Sequence, residues 1–267
     1  MASMGCAQRT VVSLPWGDVE YLHHGDGPPV VLLHRDLGPI GTRTLVDELR
    51  PSHTVYALSL PGFGASTLPS WARNVAHVAA LVGHALDHLA VGPVPVIGLG
   101  FGGWVASELA AYAPSHVRAL APVSPMGIKP AYGEVADQFL YSAARYGALS
   151  AGSADDFAGL VDELGADAVD EYLDRSREAV TRVAWKPIGH DPALVGLLGS
   201  VNVPVSLQWG SDDAVVPVST ATQWARLLRT ERVTIVEGAP HHVELTHAAT
   251  VAAELVAFLG SLDCGER

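Results

Sequence analysis

Val96-Ile97-Gly98-Leu99-Gly100-Phe101-Gly102-Gly103-Trp104 is the stretch from which the rest of the chain can be read. The apolar run Val94 to Ile97 fits a strand buried on both faces, and the glycines that follow break it abruptly. Trp104 to Tyr112 then has apolar residues at helical spacing. Strand, sharp turn and helix form the repeating unit of a parallel α/β sheet, in which ligands gather at the carboxyl ends of strands. The centre of this turn is therefore a candidate active-site position, and it is occupied by Gly100, which has no side chain.

The same pattern extends on both sides. Val11 to Leu14 and Val19 to His23 alternate around Pro15-Trp16-Gly17-Asp18, which predicts an antiparallel hairpin. Val30 to Leu33 is a second doubly buried strand, followed by His34-Arg35-Asp36-Leu37-Gly38-Pro39 and a helix over Thr42 to Leu49. Val55 to Leu60 is a strand, Trp71 to Leu89 has helical spacing, and Val117 to Val123 is a strand ending at Ser124-Pro125-Met126-Gly127. Alternating strands and helices with short glycine-rich joints predict a mostly parallel twisted sheet flanked by helices, an α/β fold with right-handed crossovers.

The alternation stops at 129–198, which is helical in pattern, rich in alanine and acidic residues, and without a strand candidate. This predicts a helical cap at 129–198 inserted into a core formed by 1–128 and 199–267. The alternative is extra helices packed on one sheet edge. Strands over Val203 to Trp209 and Arg232 to Val236, and helices over Ser219 to Arg229 and Ala248 to Leu259, complete the core.

Composition narrows the function. The 267 residues are 49% hydrophobic and 16% charged, with a formal net charge of −12, a globular and not a disordered balance. Nucleic acid is not an expected partner, because no cluster of Lys and Arg is visible. No apolar run is long enough to span a membrane. Met1 to Cys6 lacks the basic and apolar regions of a signal peptide, so a cytoplasmic location is expected. Cys6 and Cys264 are read as free thiols, with a disulfide between them as the alternative. Nothing in the sequence sets the oligomeric state.

Two further loops follow strand ends. Gly210-Ser211-Asp212-Asp213-Ala214-Val215-Val216-Pro217 carries two carboxylates, and Gly238-Ala239-Pro240-His241-His242 carries two imidazoles. The order is vacant turn, acid, base. With these residues in view, the chain resembles the α/β-hydrolase superfamily over nearly its whole length, in the helical-cap type that includes esterases and C–C bond hydrolases. Val30 to His34 resembles the family's strand and His-Gly oxyanion loop. Leu60-Pro61-Gly62-Phe63-Gly64-Ala65-Ser66 resembles its D-x-P-G-x-G-x-S stretch. Gly210 to Pro217 resembles G-x-x-D-x-x-V-P, with the aspartate at Asp213, and Gly238 to His241 resembles G-x-G-H, with the histidine at His241. The resemblance implies that His241 is the general base or acid and that Asp213 fixes its tautomer. Asp212 and His242 are read as neighbours. A surface-loop role is the alternative for His241, and the spacing of these four residues matches no metal-ligand pattern. No metal and no cofactor are expected.

Three departures from the family pattern qualify what it implies. Gly100 stands where G-x-S-x-G places a nucleophilic serine, so no acyl-enzyme can form there. The stretch Gly98 to Trp104 also resembles a bacterial branch of the family in which this glycine form occurs. The His-Gly pair is His34-Arg35 here. The oxyanion-binding amides would be those of Phe101 and Asp36, and Arg35 would bind a substrate carboxylate, pair with Asp36 or lie solvated at the surface. The aspartate before P-G-x-G is replaced by Ser59, with Leu60 between, which reads as a structural position. Ser124 lies nearer the expected site. His34, Arg35, Ser124, Met126, Trp185 and His190 are the candidate substrate-binding residues, with core packing as the alternative for Trp185.

Three functions remain open on the sequence. One is an enzyme using His241 and Asp213 for general acid/base chemistry on a small apolar or aromatic molecule, by direct activation of water or by lyase or cyclisation chemistry beside a carbonyl. The second is a non-catalytic ligand-binding pseudo-hydrolase. The third is an ordinary serine esterase inactivated by a Ser-to-Gly change.

Overall fold

The structure, a computed structural model, describes residues 8–162 and 164–264. Its frame is one eight-stranded sheet in the order β1-β2-β4-β3-β5-β6-β7-β8. The strands are β1 (Gln8–Leu14), β2 (Gly17–His24), β3 (Pro29–Leu33), β4 (Thr54–Leu58), β5 (Val94–Leu99), β6 (Val117–Val123), β7 (Leu207–Gly210) and β8 (Val233–Val236). β1 and β2 form the expected hairpin, β2 runs antiparallel to β4, and every pairing from β4 to β8 is parallel.

Residue alternation along the central strands feeds two cores. Val31 and Leu33 of β3, with Val94 and Val96 of β5, join the core on one face. Val30 and Leu32, with Ile97 and Leu99, join the core on the other face. Both faces are covered by helices, which is why these strands read as unbroken apolar runs. On one face lie α2 (Val75–His88) and α3 (Phe101–Tyr112); on the other lie α1 (Thr42–Leu49) and the closing helix Ala248–Cys264.

Between β6 and β7 the chain forms helices and, among the described residues, no strand: α4 (Ala143–Ala151), α5 (Ala154–Asp162), α6 (Val169–Ala184) and α7 (Pro192–Leu198). α8 (Ser219–Leu228) follows β7, and a short α9 (Val243–Thr246) precedes the closing helix α10 (Ala248–Cys264).

Two expected elements begin four residues later. The predicted strand from Val203 is β7 from Leu207, because Pro204 lacks the N–H that a ladder needs and only Val205 makes an isolated bridge, to Leu120. The predicted helix from Trp71 begins at Val75, where the Asn74 side chain accepts the His77 N–H at 2.9 Å and caps the first turn. Cys6, and with it the reading of the Cys6 and Cys264 thiols, lies outside the described residues. Among those residues, no helix is long and apolar enough to cross a membrane.

Candidate active site

The turn between β5 and α3 has the sharpness expected of it. Gly100 has φ 49° and ψ −110°, a conformation that L side chains rarely adopt. At Gly98 a Cβ would meet the Gly103 Cα at 2.6 Å, so the helix can start this close to the strand only over a bare backbone. Gly100 O accepts from Gly103 N and Met126 N, both at 3.0 Å, which ties the turn to the end of β6.

His241 and Asp213, from loops after β8 and β7, meet beneath this turn. His241 Nδ1 lies 2.7 Å from Asp213 Oδ2, with both side chains fully buried. Asp213 Oδ1 accepts the Val215 and Val216 N–H groups at 2.9 and 2.7 Å. The carboxylate is thereby fixed by its own loop, and its other oxygen sets the histidine tautomer: Nδ1 donates and Nε2 carries the lone pair. His241 Nε2 has no hydrogen-bond partner and lies 3.1 Å from where Gly100 would carry a Cβ. Asp212 is exposed, its Oδ1 taken by the Ser211 hydroxyl at 2.8 Å. His242 is buried beside the pair, and burial, above all, lowers its pKa to about 3.

Arg35 differs from every expectation placed on it. It does not pair with Asp36, does not lie at the surface, and does not present a free charge to a substrate carboxylate. It is 2% exposed and forms a two-point ion pair with Glu244 of α9, Nε to Oε1 at 2.7 Å and Nη2 to Oε2 at 2.6 Å. The physical reason is burial, since a guanidinium taken out of water needs a carboxylate at hand. Burial pushes the Glu244 carboxyl up, but Arg35 outweighs it through its charge and hydrogen bonds, and the pKa falls to about 2. The third guanidinium nitrogen, Nη1, is unpartnered and lies 2.9 Å from the Cβ position of Gly100. The slot left by the missing side chain is thus packed by Arg35.

His34 is likewise placed differently from the substrate-binding role expected of it. Its Nδ1 donates to Arg35 O at 2.6 Å, and its Nε2 accepts the Leu60 N–H at 2.9 Å, so both ring nitrogens serve the backbone of two loops. Burial lowers its pKa to about 4. Asp36 is fully buried, and its Oδ2 accepts the Tyr146 hydroxyl of α4 at 2.6 Å. Burial first, and then the Asp36 charge, hold the Tyr146 phenol protonated. Phe101 is the first residue of α3, so its N–H has no partner within the helix and remains a candidate oxyanion donor.

The remaining candidates spread out. Ser124 is buried at φ 44°, with its hydroxyl unpartnered. Met126 is buried at the seam with the helices between β6 and β7, where a Cβ at Gly189 would meet its Cε at 3.3 Å. Trp185 and His190 share a cleft with Trp104, but His241, Asp213 and Gly100 are not in its walls. The expected pocket-lining role of Trp185 and His190 over the His–Asp pair is not what the packing gives. Ser59 is structural, its hydroxyl donating to Glu20 Oε2 at 2.7 Å.

Glu244 and Tyr146 are the residues that sequence reading missed. Glu244 follows His241 by three positions, and a buried arginine demands such a partner. Tyr146 carries no signal in the sequence. Together with the His242 N–H, which donates to Ser150 O at 2.9 Å, Tyr146 makes α4 a brace across both the Arg35 loop and the His241 loop.

Comparison with known proteins agrees with this architecture. A dihydrolipoyllysine-residue acetyltransferase component of an acetoin cleaving system from Cupriavidus necator is 29% identical over 222 residues, covering 76% of this chain and 57% of that protein. The chain therefore spans little more than half the length of that relative. A pimeloyl-[acyl-carrier protein] methyl ester esterase from Neisseria meningitidis is 28% identical, covering 84% of this chain and 90% of the esterase. Among solved structures, a lipase from Acinetobacter baumannii (described as putative) shares the fold with a TM-score of 0.79 at 18% identity, over 97% of this chain and 93% of that one. The model of the alpha/beta hydrolase family matches residues 22–254, and the chain belongs to that family.

Proposed function

We propose that this chain is a hydrolase-fold enzyme that works without an acyl-serine, with His241 as general base and acid and Asp213 as its positioning partner. The observation that carries this reading is the buried His241–Asp213 pair at 2.7 Å, with His241 Nε2 unpartnered and 3.1 Å from the point where Gly100 would carry a Cβ. A pair kept only for packing has no need of a fixed tautomer and a free lone pair. The reaction is direct attack of water on a small apolar ester or related carbonyl compound. His241 takes the proton from water, the carbonyl oxygen becomes an oxyanion held by the Phe101 and Asp36 amides, and His241 returns the proton to the leaving group. Esterase relatives support the substrate class, and Gly100 directs the route away from a covalent intermediate. We treat 129–198 as the cap, and its α4 must move for substrate to reach His241, which is fully buried.

A second reading, a non-catalytic binding protein, is favoured by one observation: the Arg35–Glu244 pair fills the slot. The third, a serine esterase inactivated at position 100, is disfavoured by the same contact, because a serine there would collide with a pinned arginine.

Intact-mass spectrometry during turnover of a panel of p-nitrophenyl and methyl esters tests the proposal. Product release with no acyl adduct on the protein is expected. A mass increase equal to the acyl group, or no turnover of any ester, would overturn it.

A further inference from the structure

Away from the His–Asp pair, a cleft of about 310 Å³ is lined by Trp104, Trp185 and His190 together with Arg73, Arg182 and Lys186. Three cationic residues line this cleft on a chain whose net charge is −12. One carboxylate shares the cleft wall, Asp191, whose Oδ1 accepts the Ala193 N–H at 2.8 Å as the cap of α7. Arg73 and Lys186 are exposed, and their side chains have no hydrogen-bond or ion-pair partner among the described residues. Arg182 is held at the wall by Nη2, which donates to Leu68 O and Pro69 O at 3.4 and 3.1 Å.

The apolar part is equally well defined. Trp104 is 2% exposed, and its indole N–H donates to Glu108 at 2.6 Å, which fixes the ring plane at the cleft. Trp185 is 46% exposed and packs edge-on against Phe139, with ring centroids 5.0 Å apart. His190 donates Nδ1–H to Ile188 O at 3.0 Å, which leaves Nε2 as an acceptor. A half-exposed indole beside unpaired cations suits a flat ring for contact with Trp185 and a carboxylate for Arg73 and Lys186.

We infer that this cleft is a binding site for a small planar aromatic carboxylate, distinct from the site of His241. The inference does not depend on the reaction proposed above, since His241, Asp213 and Gly100 take no part in the cleft. It assigns Trp185 and His190 to ligand binding at a place other than the His–Asp pair.

Calorimetric titration of the full chain with 1-naphthoate and its neutral analogue 1-naphthamide tests the assignment. Expected are saturable one-site binding of the carboxylate at least tenfold tighter than the amide, weakening with added salt, and a further loss of fivefold or more in the R73Q/K186Q variant and in Trp185→Ala. These side chains are exposed, so the variants keep the fold, and circular dichroism verifies it. His241→Ala should bind naphthoate unchanged, whatever happens to turnover. No saturable binding, equal affinity for the amide, indifference to the charge variants, or loss of binding in His241→Ala would each overturn the assignment.

Discussion

Arg35 and Gly100 are sterically complementary: the arginine Nη1 and Cγ lie 2.9 and 3.2 Å from the point where Gly100 would carry a Cβ. Because Glu244 pins the guanidinium at two points, Arg35 cannot yield without losing a buried ion pair. Gly100→Ser should therefore destabilise the fold by about 2 kcal/mol or more, from crowding and the positive φ together, in urea denaturation. It should also fail to gain esterase activity through an acyl-enzyme. An unchanged unfolding midpoint in Gly100→Ser would show that Arg35 does not occupy the slot.

The same contact predicts a rescue. Gly100→Ser combined with Arg35→Gly and Glu244→Gln clears the slot, removes the stranded carboxylate and leaves His241 Nε2 beside the new hydroxyl. Hydrolysis of p-nitrophenyl acetate with a pre-steady-state burst, at least tenfold faster than by Gly100→Ser alone, is the expected result by stopped-flow absorbance.

Breaking the Arg35–Glu244 pair from one side should be severe. Arg35→Met strands a buried carboxylate and should cost about 3–5 kcal/mol, while adding Glu244→Leu should recover most of that loss. Glu244 has its pKa lowered to about 2, so the stability it contributes is fully present above the ordinary carboxylate range and is lost as pH falls from about 4.5 through 2. Acid titration of wild type against the double variant, followed by circular dichroism, measures this difference.

Above pH 4.5 other groups set the pH dependence. His34 and His242 have pKa values lowered to about 4 and about 3 by burial, so between these values and 6.5 the unfolded chain holds more protons than the native one. Each therefore makes stability rise with pH across that window, by about 1.4 kcal/mol per pH unit at most. Glu108 works in the opposite sense. Burial raises its carboxyl to about 7, partly offset by the Trp104 hydrogen bond and reinforced by Asp191, so the native state holds the extra proton between about 4.5 and 7. Stability conferred by that group falls as pH rises. Glu108→Gln should accordingly steepen the rise in stability from pH 5 to 7 and stabilise the protein at pH 8 by about 1–3 kcal/mol, as urea midpoints across the pH range would record.

Tyr146 reports on access. Tyr146→Phe removes one hydrogen bond to a buried carboxylate, with an expected loss of about 1.5–3 kcal/mol. Amide exchange in 36–41 and 241–247 should accelerate in this variant while the strands of the sheet keep their protection.

Much of the frame was legible because it is local. The doubly apolar runs at Val30 to Leu33 and Val94 to Ile97, and the glycines around Gly100, state their strands and turn without help from distant residues. The Asp213 and His241 loops were legible because each follows a strand, and strand ends gather at one edge of the sheet. Arg35 was misread for the opposite reason. Its partner Glu244 lies 209 residues away on a four-residue helix that no periodicity announces, and only the packed fold brings the two together. Trp185 and His190 were expected over the His–Asp pair and line another cleft, because its walls come from α2, α3 and α6, whose mutual packing no local pattern announces.

The chemistry is assigned to His241. Initial rates for wild type and His241→Ala on the same ester panel, with circular dichroism verifying the fold, test it most directly. The variant should lose at least a thousandfold in kcat/KM for every ester that the wild type hydrolyses. Equal rates in the two proteins would contradict it.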